Sequence, residues 1–210
     1  DLSRLESSRR YEFSAVEVHQ PIEQVLRTYQ LNAKDKQITL DKDIEDELPA
    51  ILGNYDLLLQ VFGNLVGNAL KFTLAGGRVM IRAYRTPMQN TVRIEVGDTG
   101  IGIDAEDQAA IFDRFFRVEN RVHTLEGTGL GLSIVKNIMD KHNSQINLVG
   151  EVGVGTTFWF DLPIYDRADY GADEPSAKGK DAFEGDHEMS VVVSEAAAVD
   201  SAPTPSGLSV

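Results

Sequence analysis

Apolar residues along this chain recur at two periods, and the switches between them mark its elements. The polar stretch Asp1 to Tyr11 carries Leu2 and Leu5 at helical spacing, too short to stand alone, and reads as the end of a helix that begins upstream. Phe13 to Val18 reads as a short strand. Pro21 then opens a helix whose apolar face is Ile22, Val25, Leu26, Tyr29 and Ala33. Ile38 and Leu40 alternate with polar neighbours and predict a strand. Asn54 stands where an N-cap is needed for a long helix running to about Thr73.

Beyond the turn signal Ala75-Gly76-Gly77, Val79, Ile81 and Ala83 alternate with Arg78, Met80 and Arg82. Val92, Ile94 and Val96 do the same, so the two runs predict a hairpin. A weaker helical patch covers Ala109 to Phe116. A second glycine turn leads into a helix along Leu130, Ile134, Val135 and Ile138. Ile146 and Leu148 predict one strand, and Phe158, Phe160 and Leu162 line one face of another. About three helices against one face of a mixed, mostly antiparallel sheet make a two-layer α/β (α+β) sandwich.

Within the Asn54 helix, a turn of about 100° per residue puts Gln60, Asn64, Asn68 and Lys71 in roughly a quarter of the circumference. Leu58, Val61, Phe62, Leu65, Val66 and Ala69 take the other side. Gly63 and Gly67 edge the polar stripe, although each costs about 1 kcal/mol against Ala in a helix. Something is therefore expected to approach that backbone closely. A solvated face would normally carry Glu and Lys. Two amides and one cation instead fit a site, because Mg²⁺ takes neutral carbonyl and phosphate oxygens while keeping several waters.

Two glycine turns add to this. Asp98-Thr99-Gly100-Ile101-Gly102 ends a strand, and Gly127-Thr128-Gly129-Leu130-Gly131-Leu132 opens a helix, where backbone amides bind anions. Either turn alone could simply join two elements. Asp98 is open to two readings, a turn-forming carboxylate or an acceptor for the exocyclic amine of adenine; guanine would present a repelling carbonyl there. Together the turns and the stripe point to a nucleotide.

Composition narrows the picture. The chain has 210 residues, enough for one ordinary domain with something left over. A net charge of −13 argues against general nucleic-acid binding, which rests on a basic surface. Cysteine is absent, which fits a reducing compartment. No apolar run approaches the roughly 20 residues of a membrane span. With neither an initiator Met nor a signal peptide, the chain reads as a piece of a longer protein. From Ile164 to Val210 ten acidic residues face Arg167, Lys178 and Lys180, a net −7 in a stretch rich in Pro, Ser, Gly and Ala. That tail is expected to be disordered, since it buries too little to offset ordering entropy.

These motifs are similar to those of a known family. Asn64-Leu-Val-Gly-Asn68-Ala-Leu-Lys71-Phe72 resembles the asparagine box of sensor histidine kinases, and Asp98-Thr-Gly-Ile-Gly102 their first glycine box. Phe112-Asp-Arg-Phe-Phe-Arg117 resembles the phenylalanine box, Gly127 to Leu132 the glycine-rich end of the ATP lid, and Gly153-Val-Gly-Thr156-Thr-Phe the last glycine box. The five boxes stand in the family's order. The stretches 54–73 and 117–138 look especially like the cyanobacterial and plastid non-bleaching sensor kinases.

The resemblance implies an ATP-binding catalytic domain over 13–163, shared in outline with gyrase, Hsp90 and MutL ATPases, with an ATP lid between its layers. Residues 1–12 would end a dimerisation and phosphotransfer helix, and 164–210 would be the tail. It implies Asn68 as the Mg²⁺ ligand, Lys71 as a phosphate contact, Phe72 beside the base, Asp98 as the adenine reader and Arg117 reaching the γ-phosphate. Gly100 and Gly102, then Gly127, Thr128, Gly129, Leu130 and Gly131, would wrap the nucleotide, with Thr156 supporting Asp98. The gyrase-type hydrolases place a water-activating Glu four residues before the metal Asn. Here that position is Asn64, and an amide is no general base near neutral pH. The implied reaction is phosphoryl transfer from Mg-ATP to a histidine on a helical hairpin of the parent or its dimer mate, then on to a response regulator. The alternatives are a stand-alone ATPase, against which Asn64 argues, and a nucleotide-sensing module without turnover. The family implies a cytoplasmic domain of a membrane-anchored sensor. None of the four histidines His19, His123, His142 and His187 sits on a helix beside an acid, and each is expected at the surface.

Overall fold

Alternation along five strands builds the sheet that carries the molecule. In the computed structural model the strands β2 (Thr39–Ile44), β4 (Arg78–Thr86), β5 (Thr91–Asp98), β6 (Asn147–Glu151) and β7 (Gly155–Pro163) lie in the order β2-β4-β5-β7-β6. The β2–β4 pair is parallel and the other three are antiparallel. Two short strands, β1 (Ser14–Val16) and β3 (Ile51–Gly53), form a separate antiparallel pair. The structure describes residues 11–86, 88–115, 129–166 and 168. The chain divides into units Asp1–Gly171 and Ala172–Val210, and every described residue lies in the first. The expected helix end at 1–10, the phenylalanine-box and lid residues 116–128 and the tail from 169 onward lie outside the described residues.

One face of the sheet is apolar and covered. Val79, Ile81 and Ala83 of β4, Val92, Ile94 and Val96 of β5, and Phe158, Phe160 and Leu162 of β7 are all buried in one core. The helices α1 (His19–Asp35), α2 (Tyr55–Phe72) and α3 (Gly131–Lys141) supply the facing layer, including Ile22, Leu58, Phe62, Leu65 and Met139. Phe62 of α2 stacks on Phe160 of β7 at 6.2 Å. The opposite face stays polar. There Arg93 binds Asp161 through two 2.8 Å hydrogen bonds, and the Tyr84 hydroxyl donates to Glu95 at 2.7 Å. The two-layer sandwich with a mostly antiparallel sheet, expected from the periodicity, is borne out.

Element ends differ from expectation in instructive ways. The first helix starts at His19, two residues before Pro21, because the first amides of a helix have no intrahelical partner and Pro loses nothing there. β3 leaves no mark in the sequence because three residues are too few to show a period. Of the patch 109–116, the described residues 109–115 form only a 3₁₀ turn, Ala110–Phe112, since Asp113 is extended and Phe115 turns left-handed (φ 65°). Asn54 caps α2 as expected, its Oδ1 accepting from the Leu57 amide at 3.0 Å.

Candidate functional site

The site is organised by α2, because its stripe meets the start of α3 and its C-terminus meets the first glycine turn. At mid-helix Asn64 and Asn68 face the start of α3. A Cβ built on Gly131 would lie 3.1 Å from Asn64 Oδ1 and 3.7 Å from Asn68 Nδ2, so both amides converge on that helix N-terminus. Leu130 makes no side-chain cap, so the N-cap side chain does not take up the first-turn amides of α3 beside the two asparagines. Asn64 Nδ2 donates to the Gln60 carbonyl at 2.9 Å, which leaves its Oδ1 on the side of Gly131. Lys71 sits one turn on, its ammonium 4.8 Å from the ring centre of Phe72.

At its C-terminus α2 meets the first glycine turn. The Ile101 amide donates to the Phe72 carbonyl at 3.1 Å, and a Cβ on Gly100 would come within 2.5 Å of that same oxygen. Asp98 closes β5 just before the turn, and its Oδ1 accepts from the Gly100 amide at 2.8 Å. Burial pushes the Asp98 carboxyl above the ordinary carboxylate range, opposed by hydrogen bonds from the Gly100 and Thr156 backbones. Thr156 is buried directly across from Asp98 on β7. The last glycine turn packs on the first: Gly153 N donates to Ile101 O at 2.8 Å, and Gly102 (φ 73°) presses so closely on Glu151 that a Cβ would overlap its carbonyl. The Phe115 amide donates to the Gly129 carbonyl at 3.2 Å, joining the residues that flank 116–128. Arg117, Gly127 and Thr128 lie outside the described residues; Asn64, Asn68, Lys71, Phe72, Asp98, Gly100, Gly102, Gly129, Leu130, Gly131 and Thr156 are placed.

Two expectations change. The close neighbour of α2 at Gly67 is Tyr29 of α1, whose hydroxyl would lie 3.1 Å from a Cβ there and donates to the Gly63 carbonyl at 3.1 Å. Helix packing thus accounts for Gly67, while among the described residues nothing outside the helix's own backbone lies within 4 Å of a Cβ on Gly63. His142, expected at the surface, is 6% exposed. Its ring is drawn inward because both nitrogens find backbone partners, Ile138 O at 2.8 Å and Asn54 N at 3.2 Å. No period in the sequence marks Tyr29 or His142 as polar contacts, since each also fits an apolar or solvated position. His19, by contrast, is exposed and 3.6 Å from Glu17.

A family profile of histidine kinase-, DNA gyrase B-, and HSP90-like ATPases matches residues 53–166, which takes in α2, the glycine turns and α3. The chain belongs to this family. Within it, most of the relatives are named as sensor or sensory kinases. Drug sensory protein A of Synechocystis sp. is 66% identical over 173 residues, covering 79% of this chain and 26% of that protein. The sensor-like histidine kinase ycf26 of Pyropia yezoensis is 55% identical over 175 residues, covering 78% and 27%. The chain therefore spans about a quarter of the length of these relatives. Among solved structures, full-length ShkA in complex with AMPPNP matches with TM-score 0.67 and 31% identity, over 77% of this chain and 33% of that one. Histidine kinase ThkA in complex with the response regulator TrrA matches with TM-score 0.62 and 26% identity, over 78% and 46%. The histidine kinase ATPase domain expected from the five boxes, with its cyanobacterial affinity, is borne out. Among the described residues no helix of the kinase domain is long and apolar enough to cross a membrane.

Proposed function

We propose that this histidine kinase domain binds Mg-ATP between α2, the Asp98 turn and the N-terminus of α3, and donates the γ-phosphoryl group to a histidine on a helical hairpin of its parent protein or dimer mate. The observation that carries the reading is the convergence of Asn64 and Asn68 on the uncapped first turn of α3, with Asp98 held at the far end of the same helix. Asp98 accepts from the adenine amine, and its surroundings favour that role: the Gly100 and Thr156 backbones hold the carboxylate while burial heightens its appetite for a further donor. Phe72, with a third of its surface exposed, lies beside the base. The α3 amides and Lys71 meet the phosphates.

The donor set fits a metal held jointly with nucleotide. Among the described residues no cluster of three His, Cys, Asp or Glu could grip an ion alone, whereas an amide oxygen plus phosphate oxygens suits Mg²⁺. Asn68 would hold it, and its chemistry is neutralisation of phosphate charge. Transfer is then mainly positioning and electrostatics. Asn64 contributes no base, so water is not activated and ATP waits for a better nucleophile. Arg117, outside the described residues, is assigned the γ-phosphate. His142 is no candidate acceptor, because both ring nitrogens are engaged and the ring is buried. A response regulator is proposed to take the phosphoryl group from the hairpin.

The test is radiolabelled ATP offered to this chain alone, to the parent's hairpin alone, and to both together. Acid-labile label on the hairpin only in the mixture is expected, and Asn68→Ala should abolish it. Rapid ATP hydrolysis by the chain alone, or label on the chain that disappears on replacing His123, would overturn the reading.

A further inference from the structure

The far end of α3 carries a bond pattern that the nucleotide site does not use. Helices α2 and α3 run antiparallel, with Gly131 against Asn64 and Asn68 at one end and His142 against Asn54 at the other. The Asn54 backbone N–H can only donate, so His142 Nε2 accepts from it (3.2 Å) and the ring proton sits on Nδ1, donating to Ile138 O (2.8 Å). One neutral imidazole thereby ties the C-terminus of α3 to the residue that caps α2. The other buried side chains of α3, Val135, Ile138 and Met139, are apolar, and such contacts do not fix an axial position by direction. The imidazole does.

The residues leading into the domain grip the same point. Phe13 meets the His142 ring edge-to-face at 4.7 Å. The Glu12 carbonyl accepts from Asn54 Nδ2 at 2.9 Å. Tyr11 accepts from the Lys141 ammonium at 3.0 Å, with that ammonium 4.2 Å from its ring centre. Three consecutive residues are thus bound to the N-cap of α2 and the C-terminus of α3, the two helices that build the phosphate end of the site.

We infer that His142 is a positioning residue: its ring fixes the axial register of α3 on α2, and so the place of the α3 amides against Asn64 and Asn68. Phe13 braces the ring, so a shift of the leading segment loosens this register and weakens nucleotide binding. The inference rests on the nucleotide reading of the site, and the experiment separates the two.

Affinity for the Mg²⁺ complex of a non-hydrolysable ATP analogue is measured by calorimetry on the full chain, with amide chemical shifts followed by NMR. His142→Leu removes both hydrogen bonds and is expected to weaken binding about tenfold and to move the Gly131 amide resonance. His142→Gln restores a donor and an acceptor and should recover affinity to within about threefold of wild type. Ile38→Ala, a core truncation between α1 and β2, should lower thermal stability while leaving affinity and the Gly131 resonance unchanged. Phe13→Ala, which leaves the imidazole hydrogen bonds in place, should weaken binding about threefold and move the same resonance, and it carries the test if His142→Leu does not fold. Wild-type affinity and an unmoved Gly131 in the His142 and Phe13 variants would overturn the inference, as would an equal loss in Ile38→Ala. A wild type that binds no nucleotide would overturn the functional reading itself.

Discussion

The two glycine turns of the site look alike in sequence but are built oppositely. The first, Asp98 to Gly102, is locked by backbone against backbone: Gly100 abuts the Phe72 carbonyl, and Gly102 lies against Glu151 in a left-handed conformation. At Gly131, where the second enters α3, the nearest described neighbours are side chains, the amides of Asn64 and Asn68. Backbone contacts cannot be relieved by a rotamer change, whereas an amide side chain can turn aside. The Asp98 turn is therefore the more rigid end of the proposed site and the α3 end the more adjustable one, as would suit a site proposed to admit a nucleotide and then a phosphoacceptor.

Substituting the glycines should break this comparison most sharply. Gly102→Ala combines a strained φ with an overlap against the Glu151 carbonyl, and is expected to lower stability by about 3 kcal/mol or more in denaturant unfolding. Gly131→Ala, in an ordinary helical conformation, should leave stability equal or slightly raised, because Ala favours the helix. Its methyl must displace Asn64, so nucleotide affinity should fall about three- to tenfold, read by calorimetry. Similar loss of stability in both variants would erase the distinction.

Asp98 tests the rigid end by function. Asp98→Ala should weaken ATP binding by roughly ten- to a hundredfold, the loss of a charge-assisted hydrogen bond, and wild type should prefer ATP over GTP. The sign for stability is opposite. Its carboxyl is raised by burial above the ordinary value of 3.8, so the folded state holds the proton more readily than the unfolded one. Stability associated with this group is present at low pH and lost as pH rises through the folded pKa. At neutral pH the ionised carboxylate opposes folding, and Asp98→Asn should raise the unfolding midpoint of the nucleotide-free domain while impairing ATP binding.

His142 answers to pH in the other direction. Burial lowers its pKa below the ordinary 6.5, against the opposing influence of the Ile138 carbonyl. Its contribution is therefore intact above 6.5 and lost as pH falls from there through the folded pKa. Unfolding measured at pH 7.5 and 5.5 should show a decline that His142→Gln flattens. The smallest effect is expected on the polar face of the sheet, where Arg93→Ala removes a part-exposed pair with Asp161 and should cost about 1 kcal/mol. Nucleotide affinity should not change, since this pair lies on the face away from the helices.

Much of the site could be read from the chain because its motifs are local. Asn64, Asn68 and Lys71 share one helix, and Asp98, Gly100 and Gly102 one turn, so spacing alone brings each group together. The contacts of Tyr29 with Gly63 and of His142 with Asn54 span 34 and 88 residues and leave no period behind. Gly67 shows the difference well: the sequence signals that something lies close to it, and only the packing of α1 reveals a tyrosine.

Periodicity and glycine placement therefore determined the sheet strands β2 and β4–β7, the three helices and the two halves of the nucleotide motif, since these depend on neighbours a few residues apart. Which helix end faces which was decided by tertiary structure. The parallel β2–β4 pairing, the buried neutral His142 and the meeting of Asn64 with Gly131 each join distant segments, and each follows from how the apolar faces close over one core. Local pattern fixes what an element buries; only the closed core fixes what its polar atoms then meet.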